Sequence, residues 1–352
     1  MILYFIHLLN NHVILRCIMT ILTTFFISLL IFPSCICKLK HYQIGQNIRD
    51  DGPQSHLNKT GTPTMGGILI ILMILIGTLL WANLSNNFIW IILITTLGFS
   101  FIGFIDDLKK FTMKNSVGLK PCYKFLLQSI CGVIVSLVIF IFIDNHTVQV
   151  YIPFLKCIKY NLGMLYIPLI YFSVVGMSNA VNLTDGLDGL AIFPVIILSC
   201  TLGLFSYISG NNTVANFLSV PYVPYNYEVA IFCSAIIGAG LGFLWYNAYP
   251  SQIFMGDVGS LGLGAALGII PIIVKQEIIS VIISGIFVLE TLSVILQVIS
   301  FKFKKKRLFK MVPIHHHFEL MGYDEPKIIV RFWIISIILA LIGVSLFFYN
   351  FV

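Results

Sequence analysis

Long apolar runs alternate with short polar connections along almost the whole chain. Most runs come close to the ~20 helical residues that cross the ~30 Å hydrocarbon core of a bilayer. We therefore expect an all-α polytopic integral membrane protein, with residues 1–352 forming a single transmembrane domain. The pattern predicts ten membrane-spanning helices, roughly at 18–37, 65–82, 88–105, 124–143, 165–181, 188–208, 227–247, 259–274, 278–300 and 328–350.

Composition supports this class of protein and excludes a soluble domain. Hydrophobic residues make up 58% of the chain and charged residues 10%, and the mean hydropathy is +0.97, far outside the range of soluble proteins. The eight cysteines form no CxxC pair and lie mostly in or near apolar runs, so we interpret them as small buried hydrophobic residues. The net charge of +7 does not indicate a nucleic-acid partner, because the positive residues cluster between spans.

The basic residues are divided unevenly between the two membrane faces. With ten spans both termini lie on one face, and of the 21 Lys and Arg residues only Arg16, Lys156, Lys159 and Lys275 fall on that face. The positive-inside rule then makes the opposite face cytoplasmic and both termini external. Because most carboxylates also fall on the cytoplasmic face, we expect an active site in a cleft on that side. The first apolar run shows no cleavage pattern and is expected to remain an uncleaved span.

One polar stretch, residues 179–190, lies between two long apolar runs. Asn179, Asn182, Asp185 and Asp188 recur at every third residue, which on a continuous helix would place them on one broad face. A glycine follows each aspartate, and this favours a helix that ends and opens into a loop. A solvated acidic loop is the simpler alternative. The regular spacing favours one wall of a site for a metal and a nucleotide.

Two further acidic positions fall at predicted cytoplasmic span ends. Asp106 and Asp107 close the third predicted span, and Asp257 directly precedes the eighth. Adjacent carboxylates repel each other unless a cation or water separates their charges, so a solvated acidic helix end is an alternative. Carboxylates from several loops together with phosphate oxygens are the usual ligands of Mg²⁺. The glycines beside Asp257 would let a phosphate approach the amides of the following helix.

Three consecutive histidines, His315, His316 and His317, lie in the last predicted cytoplasmic loop. Consecutive side chains do not face one way on a helix or a strand, so a single metal held by all three is not expected. We interpret them as groups that contact phosphate or sugar, with a purely structural loop as the alternative. The Lys- and Phe-rich segment 302–310 before them is typical of a membrane-surface anchor for anionic lipid, or of a site that attracts a lipid phosphate.

A transporter would share the many helices and the rare charges. Transporters place ionisable groups at mid-membrane along a pathway, whereas the acidic clusters here fall at span ends. Glu290 is the exception, since it lies within the ninth predicted span. We expect Glu290 either to cap a polar contact or to line a lipid groove.

Five motifs follow one another along the chain, namely Thr62-Pro-Thr-Met-Gly-Gly67, Gly103-Phe-Ile-Asp-Asp107, Asn179-Ala-Val-Asn-Leu-Thr-Asp-Gly-Leu-Asp-Gly-Leu-Ala191, Phe254-Met-Gly-Asp-Val-Gly-Ser260 and Pro313-Ile-His-His-His-Phe-Glu319. In this order they closely resemble phospho-N-acetylmuramoyl-pentapeptide transferase, a bacterial membrane enzyme family. That family belongs to the glycosyltransferase 4 family in the polyprenyl-phosphate hexosamine-1-phosphate transferase superfamily. The predicted span number and the external termini agree with this resemblance.

The resemblance implies transfer of phospho-MurNAc-pentapeptide from UDP-MurNAc-pentapeptide to undecaprenyl phosphate, with release of UMP and a requirement for Mg²⁺. It implies a multi-pass protein of the bacterial inner (cytoplasmic) membrane, usually a homodimer, with Asp257 as the metal ligand. The catalytic residues it implies are Asp106, Asp107, Asp257, His315, His316 and His317. The substrate-binding residues it implies are Lys59, Thr64, Lys109, Lys124, Asn179, Asn182, Asp185, Asp188, Asn247 and Phe254.

One position departs from the family pattern. Val117 stands where a lysine is expected before Gly118, and Lys114 or Lys120 is the candidate to supply the missing phosphate contact. The nearest alternative within enzymes is a GlcNAc-1-phosphate transferase that uses the same lipid acceptor. The triple-histidine motif favours the first family over this alternative.

Overall fold

The computed structural model describes residues 12–41, 61–113, 118–142, 148–152, 159–218 and 220–351. Lys59, Lys114 and Val117 lie outside these ranges. In the described part of the chain the one sheet is a small antiparallel hairpin of β1 (Gln149–Tyr151) and β2 (Lys159–Asn161). The helices are α1 (Val13–His41), α2 (Gly67–Trp81), α3 (Asn87–Thr112), α4 (Pro121–Phe142), α5 (Tyr166–Thr184), α6 (Ile192–Gly210), α7 (Asn212–Phe217), α8 (Tyr227–Asn247), α9 (Gly256–Val274), α10 (Glu277–Ile283), α11 (Gly285–Lys304), α12 (Ile314–Glu319) and α13 (Glu325–Phe351).

The protein is an all-α polytopic membrane protein, as the apolar pattern predicts. Among the described residues, nine helices are long and apolar enough to cross a membrane. The second predicted span is the shorter helix α2, of 15 residues. The ninth is divided at Ser284 into α10 and α11. The orientation of the termini stays a prediction.

The third helix is longer than its apolar run. Helix α3 continues past Asp106 and Asp107 to Thr112, and the end of the membrane span at these two residues stays a prediction. Lys110 lies three and four residues after the two aspartates and pairs with both, which favours continuation of the helix. Asp106 and Asp107 therefore lie within a regular helical turn, so the helix backbone sets the direction in which each side chain leaves the helix.

Helix α9 forms the centre of the bundle. In the most apolar 18-residue stretch of α9, 94% of the residues are buried, whereas the share is 22% in each of α1, α4 and α11. Glycines let the neighbouring helices approach its backbone closely, as is common where membrane helices pack. A Cβ at Gly103 of α3 would collide with the backbone of Asp257, and a Cβ at Gly264 would collide with the backbone of Met177 in α5. These contacts bring the polar ends of α3, α5 and α9 together.

The polar stretch after α5 forms turns, as predicted. Helix α5 ends at Thr184, with Asp185 as its C-cap, and turns follow up to the start of α6. Gly189 has φ +71°, the left-handed region that favours glycine. The helix end and the turns form one side of the functional site.

A buried ion pair joins α1 to α8 at the opposite end of α8 from Asn247. Arg16 donates hydrogen bonds to both carboxylate oxygens of Glu228, at 2.9 and 2.6 Å, and to the carbonyl oxygen of Trp81. Glu228 also accepts from the amide of Asn83 at 2.8 Å. Arg16 is 3% exposed and Glu228 2% exposed. A buried pair is stable only when its remaining hydrogen-bonding groups are satisfied, and here both partners have additional bonds.

Candidate functional site

Three aspartates from two helices meet at one end of the bundle. Asp106 and Asp107 come from α3 and Asp257 from the first turn of α9. One carboxylate oxygen from each lies within 4.8 Å of the others. Asp106 and Asp107 are buried, and Asp257 is largely shielded from solvent. Buried carboxylates this close repel each other, so the cluster requires positive charge.

Two lysines supply positive charge to this cluster. Lys110 Nζ lies 2.7 Å from Asp106 Oδ2, 3.2 Å from Asp107 Oδ1 and 3.1 Å from Asp257 Oδ2. Lys124 Nζ, from the first turn of α4, lies 2.5 Å from Asp257 Oδ2 and 3.8 Å from Asp106 Oδ2. Three carboxylates and two ammonium groups leave one negative charge. The cluster therefore remains attractive to a cation.

Backbone amides hold two of the carboxylates in place. Asp106 Oδ1 accepts from the amide of Leu119 at 2.6 Å, and a Cβ on Gly118 would collide with the same carboxylate. Asp107 Oδ2 accepts from the amide of Val258 at 3.2 Å. Gly118 and Leu119 directly follow Val117, the position where the family pattern has a lysine. The backbone of these two residues thus packs against or bonds to the carboxylate of Asp106. These bonds orient the carboxylates of Asp106 and Asp107.

The asparagines of α5 have different partners. Asn182 Nδ2 donates to Asp257 Oδ1 at 2.9 Å and to Ser260 Oγ at 2.8 Å, so Asn182 belongs to the aspartate cluster. Asn179 Nδ2 donates to Gln128 Oε1 on α4 at 2.9 Å, one turn away from the cluster. The structure therefore brings Asn182, and not the Asn179 amide group, to the carboxylates.

The aspartates that follow α5 also separate. Asp185 is half-buried at the end of the helix, and this burial, with the nearby charges of Asp257 and Asp107, raises its pKa to about 8. Asp188 is buried, and its Oδ2 accepts from the amide of Ser251 at 3.0 Å. Asp185 thus lies in the field of the cluster, whereas Asp188 holds the turn against the loop before α9.

The loop before α9 joins two more predicted site residues to the cluster. Asn247 Oδ1 accepts from the amide of Gly189 at 3.0 Å, and its Nδ2 donates to the carbonyl of Ile253 at 2.8 Å. Phe254 pairs through its backbone with the motif that starts at Thr62: its amide donates to Pro63 and its carbonyl accepts from Gly66. These bonds hold the segment that carries Asp257.

Thr64 borders the same cluster. A Cβ at Gly256 would lie 3.3 Å from Thr64 Oγ1 and 2.6 Å from Asp107 Oδ2, so Gly256 separates the hydroxyl from the carboxylate. Gly256 has φ +74°. A side chain here would be strained and would fill the gap between these two groups.

The three histidines lie in a short helix, α12, and each has its own partner. His315 Nδ1 lies 3.0 Å from Glu290 Oε1, His316 Nδ1 lies 2.7 Å from Glu319 Oε2, and His317 Nδ1 accepts from the amide of Lys310 at 3.2 Å. The three Nδ1 atoms thus contact three different groups. His315 Nε2 is buried and has no hydrogen-bond partner among the residues that the structure describes.

His315 connects this helix to the turn after α5. A Cβ on Gly186 would collide with the Nε2 side of the His315 ring. Glu290, whose second oxygen accepts from the amide of Ile314 at 2.8 Å, holds the ring from the other side. Of the two expectations for Glu290, the polar contact is confirmed. The histidine segment thus packs on the loop that follows Asp185.

The site residues predicted from the sequence do not include Lys110, and the sequence does not predict the contact that Glu290 makes with His315. Lys110 contacts all three aspartates, whereas Lys109, the residue selected instead, makes no ion pair with them in the described structure. The spacing of four residues from Asp106 is a signal that points to Lys110. The contact of Glu290 with His315 has no local signal, because 25 residues separate them.

Fold and site together define a polytopic membrane protein with a buried acidic centre suited to a divalent cation and phosphate groups. The sequence model of glycosyl transferase family 4 matches residues 89–275, more than half of the chain, and the chain belongs to this family. Residues 59–71 match the phospho-N-acetylmuramoyl-pentapeptide-transferase signature 1.

The two matches cover much of the site. The family match includes all three clustered aspartates, both lysines and the polar stretch after α5, and the signature includes Thr64. They identify a phosphosugar transferase of peptidoglycan synthesis. The signature implies a nucleotide-sugar-peptide substrate and a polyprenyl phosphate in the membrane.

Proposed function

We propose that the protein transfers phospho-MurNAc-pentapeptide from UDP-MurNAc-pentapeptide to undecaprenyl phosphate, giving undecaprenyl-diphospho-MurNAc-pentapeptide (lipid I) and UMP. The observation that carries this proposal is the cluster of Asp106, Asp107 and Asp257 with Lys110 and Lys124. Transfer of a phosphoryl group depends mainly on positioning and on neutralisation of charge. A cluster of three carboxylates and two ammonium groups supplies both.

The donor set fits Mg²⁺. All three groups are carboxylates, the hard oxygen ligands that Mg²⁺ prefers, and one oxygen from each lies within 4.8 Å of the others. We assign Asp257 as the principal ligand, with Asp106 and Asp107 beside it. Bound Mg²⁺ would neutralise charge on the diphosphate and on the departing UMP.

Lys110 and Lys124 are positioned to contact phosphate. Each ammonium group bonds to carboxylates in the structure, and a lysine is a mobile point charge that can turn from a carboxylate to a phosphoryl oxygen. Lys109 lies on the same helical turn as Lys110. We assign it a contact with phosphate at the edge of the aspartate cluster. These lysines would hold donor and acceptor phosphates against the aspartates.

Asp106 is better suited to organise the site than to act as a base. The acceptor phosphate monoester has a second pKa near 6 and is largely dianionic at pH 7, so it needs little deprotonation. Asp106 already accepts from the amide of Leu119 and from Lys110. Its alternative role as a general base predicts that the activity of Asp106→Asn rises steeply above neutral pH. A flat profile supports the organising role.

Direct attack by the acceptor phosphate is favoured over a covalent intermediate on Asp257. Asp257 Oδ1 accepts from Asn182 and its Oδ2 pairs with Lys124, and these contacts, like a bound Mg²⁺, would lower the nucleophilicity of the carboxylate. A sugar-phosphate adduct trapped on the enzyme would contradict direct attack.

The donor is assigned to the walls around the cluster. Asp188 and Asn247 use their side chains to bond loop amides, so we assign them to shape the wall. The histidines His315, His316 and His317 are assigned to the sugar-phosphate side. The residues proposed to form the donor site, by direct contact or as part of its wall, are Lys59, Thr64, Asn179, Asn182, Asp185, Asp188, Asn247 and Phe254.

We further propose that the protein lies in the bacterial inner membrane, with both termini outside and the site open to the cytoplasm. The distribution of basic residues between the two faces supports this orientation. A homodimer is proposed from the family resemblance alone. Cross-linking of single-cysteine variants in native membranes tests both the orientation and the dimer.

Release of UMP by purified protein tests the proposed reaction. The assay supplies undecaprenyl phosphate, Mg²⁺ and either UDP-MurNAc-pentapeptide or UDP-GlcNAc, with Asp257→Ala alongside. We expect release only with the first donor, and its loss in the variant. Release with UDP-GlcNAc would assign the protein to the GlcNAc-1-phosphate branch, and no release with either donor would overturn the proposed activity.

A further inference from the structure

A strongly basic segment, residues 301–310, follows the apolar part of α11. Between Glu290 and Glu319 the chain carries no carboxylate residue. The positive charge of this segment is therefore not balanced by its neighbours along the chain. All of its cationic residues are exposed, namely Lys302, Lys304, Lys305, Lys306, Arg307 and Lys310.

Large apolar side chains stand among these cations. Phe301 is 54% exposed, Phe303 78% and Leu308 56%. The segment lies at the end of α11, a helix long and apolar enough to span the membrane, so it meets the boundary between hydrocarbon and water. Exposed aromatic and aliphatic groups beside cations are typical of segments that insert into this boundary.

The segment is a folded hairpin and not a free tail. Gln297 Oε1 accepts from the amides of Leu308 and Phe309, each at 2.9 Å, and its Nε2 donates to the carbonyl of Phe309 at 3.2 Å. Ser300 Oγ donates to the carbonyl of Lys306 at 2.9 Å. These bonds fold residues 305–309 back along α11, which holds the cations close together on one structure.

We propose that residues 301–310 bind the phosphate headgroups of anionic membrane lipids. The aromatic groups would enter the acyl boundary while the cations contact the headgroups, and each basic residue near an anionic surface strengthens binding by about fivefold. Such binding does not depend on the transferase reaction. The negative headgroups would balance the exposed positive charge of this segment.

The hairpin also contacts the histidine helix. The amide of Lys310 donates to His317 Nδ1 at 3.2 Å, and the ring of Phe309 meets the His317 ring edge to face, with the centroids 5.6 Å apart. An anionic lipid held by the hairpin would therefore lie next to α12. The acceptor substrate is itself a lipid phosphate, so the test must separate it from bulk anionic lipid.

Binding of phosphatidylglycerol and phosphatidylcholine to the full-length, delipidated protein tests the proposal by native mass spectrometry. The principal variant is K302Q/K304Q/K306Q/R307Q. Lys305 is kept because its backbone is left-handed, with φ +53°, and Lys310 because its Nζ donates to the carbonyl of Leu320. We expect the preference for phosphatidylglycerol over phosphatidylcholine to fall by at least about tenfold, and the preference to weaken as salt is raised.

A matched pair of double variants locates the effect. K304Q/R307Q removes two cations from the hairpin, and K38Q/K40Q removes two exposed cations from the last turn of α1. We expect a severalfold loss for the first and a clearly smaller loss for the second, because the last turn of α1 carries fewer cations than the hairpin. Equal losses, or an unchanged preference in the quadruple variant, would overturn the proposal.

Kinetics in phosphatidylcholine nanodiscs separate the acceptor from bulk lipid. Without anionic lipid, the quadruple variant should keep the wild-type KM for undecaprenyl phosphate and the wild-type melting temperature. A severalfold rise in this KM would assign the segment to the acceptor and contradict binding of bulk lipid.

Discussion

Glu290 Oε1 and His315 Nδ1 lie 3.0 Å apart, and neither side chain is exposed to solvent. The other oxygen of Glu290 accepts from the amide of Ile314. One carboxylate on α11 therefore fixes both the first residue of α12 and the orientation of the first histidine ring. Since the opposite side of that ring packs on Gly186, Glu290 influences the loop beside the aspartates without reaching it.

Replacement of Glu290 tests this link. Glu290→Ala removes the carboxylate that bonds the buried His315 ring and the partly buried amide of Ile314, which costs ~1–3 kcal/mol of stability. We expect kcat to fall about 10²-fold because the ring loses its orientation. Glu290→Gln keeps an acceptor for Ile314 and should retain more stability and more activity. Thermal unfolding and UMP release measure the two effects. Wild-type behaviour of the alanine variant would show that the contact is dispensable.

Gly186→Ala tests the packing of His315 from the other side. The added methyl group would collide with the ring of His315, so we expect the ring to be displaced and UMP release to fall by at least about tenfold. Gly98→Ala in α3 is the control, because a Cβ at Gly98 meets nothing within 4 Å. If both variants keep full activity, the position of the His315 ring does not limit the reaction.

Adjacent lysines provide a matched test of the cationic centre. Lys110 contacts three carboxylates, whereas Lys109 makes no ion pair with them in the part of the chain described. We expect Lys110→Gln to lower kcat by roughly 10²–10³-fold, as the loss of an electrostatic contact does. Lys109→Gln should change it only a few-fold. Equal losses in UMP release would support the family-based role of Lys109.

The raised pKa of Asp185 predicts a pH-dependent stability. Its folded pKa of about 8 lies above the unfolded value, so between these values the folded protein binds more protons than the unfolded chain. Stability is then highest below the unfolded pKa and falls as pH rises through about 8.

Asp185→Asn should remove this pH dependence. With chelator present, we expect the variant to raise the melting temperature more at pH about 8.5 than at pH about 5. A calorimetric scan at both values measures the difference. The same shift at both pH values would show that Asp185 is ionised throughout.

Much of the architecture could be predicted because it depends on local pattern. The apolar runs give the spans, and the alternation of Asp and Gly gives the end of α5. The sequence predicts that Asp107 and Asp257 both lie at acidic span ends, but it does not predict that they meet. Their proximity depends on the close contact of α3 with α9, which the glycines permit in three dimensions.

The remaining features depend on contacts between distant residues. The motif of Asp188 predicts that it binds the substrate, yet its carboxylate accepts a hydrogen bond from the amide of Ser251, 63 residues away. The apolar run ends at Asp106 and Asp107, whereas helix α3 continues to Thr112, and the pairing of Lys110 with both aspartates favours this continuation. A single sequence contains no direct signal for such partners.

The pairing of Arg16 with Glu228 has a consequence for how the protein is made. The arginine emerges from the ribosome 212 residues before its carboxylate partner. Until then an unpaired guanidinium within α1 is costly in hydrocarbon, so this end of α1 must stay near water or headgroups. The first helix can reach its final depth only after α8 has been inserted. Biogenesis of the N-terminal helix is thus completed late, when about two thirds of the chain has been synthesised.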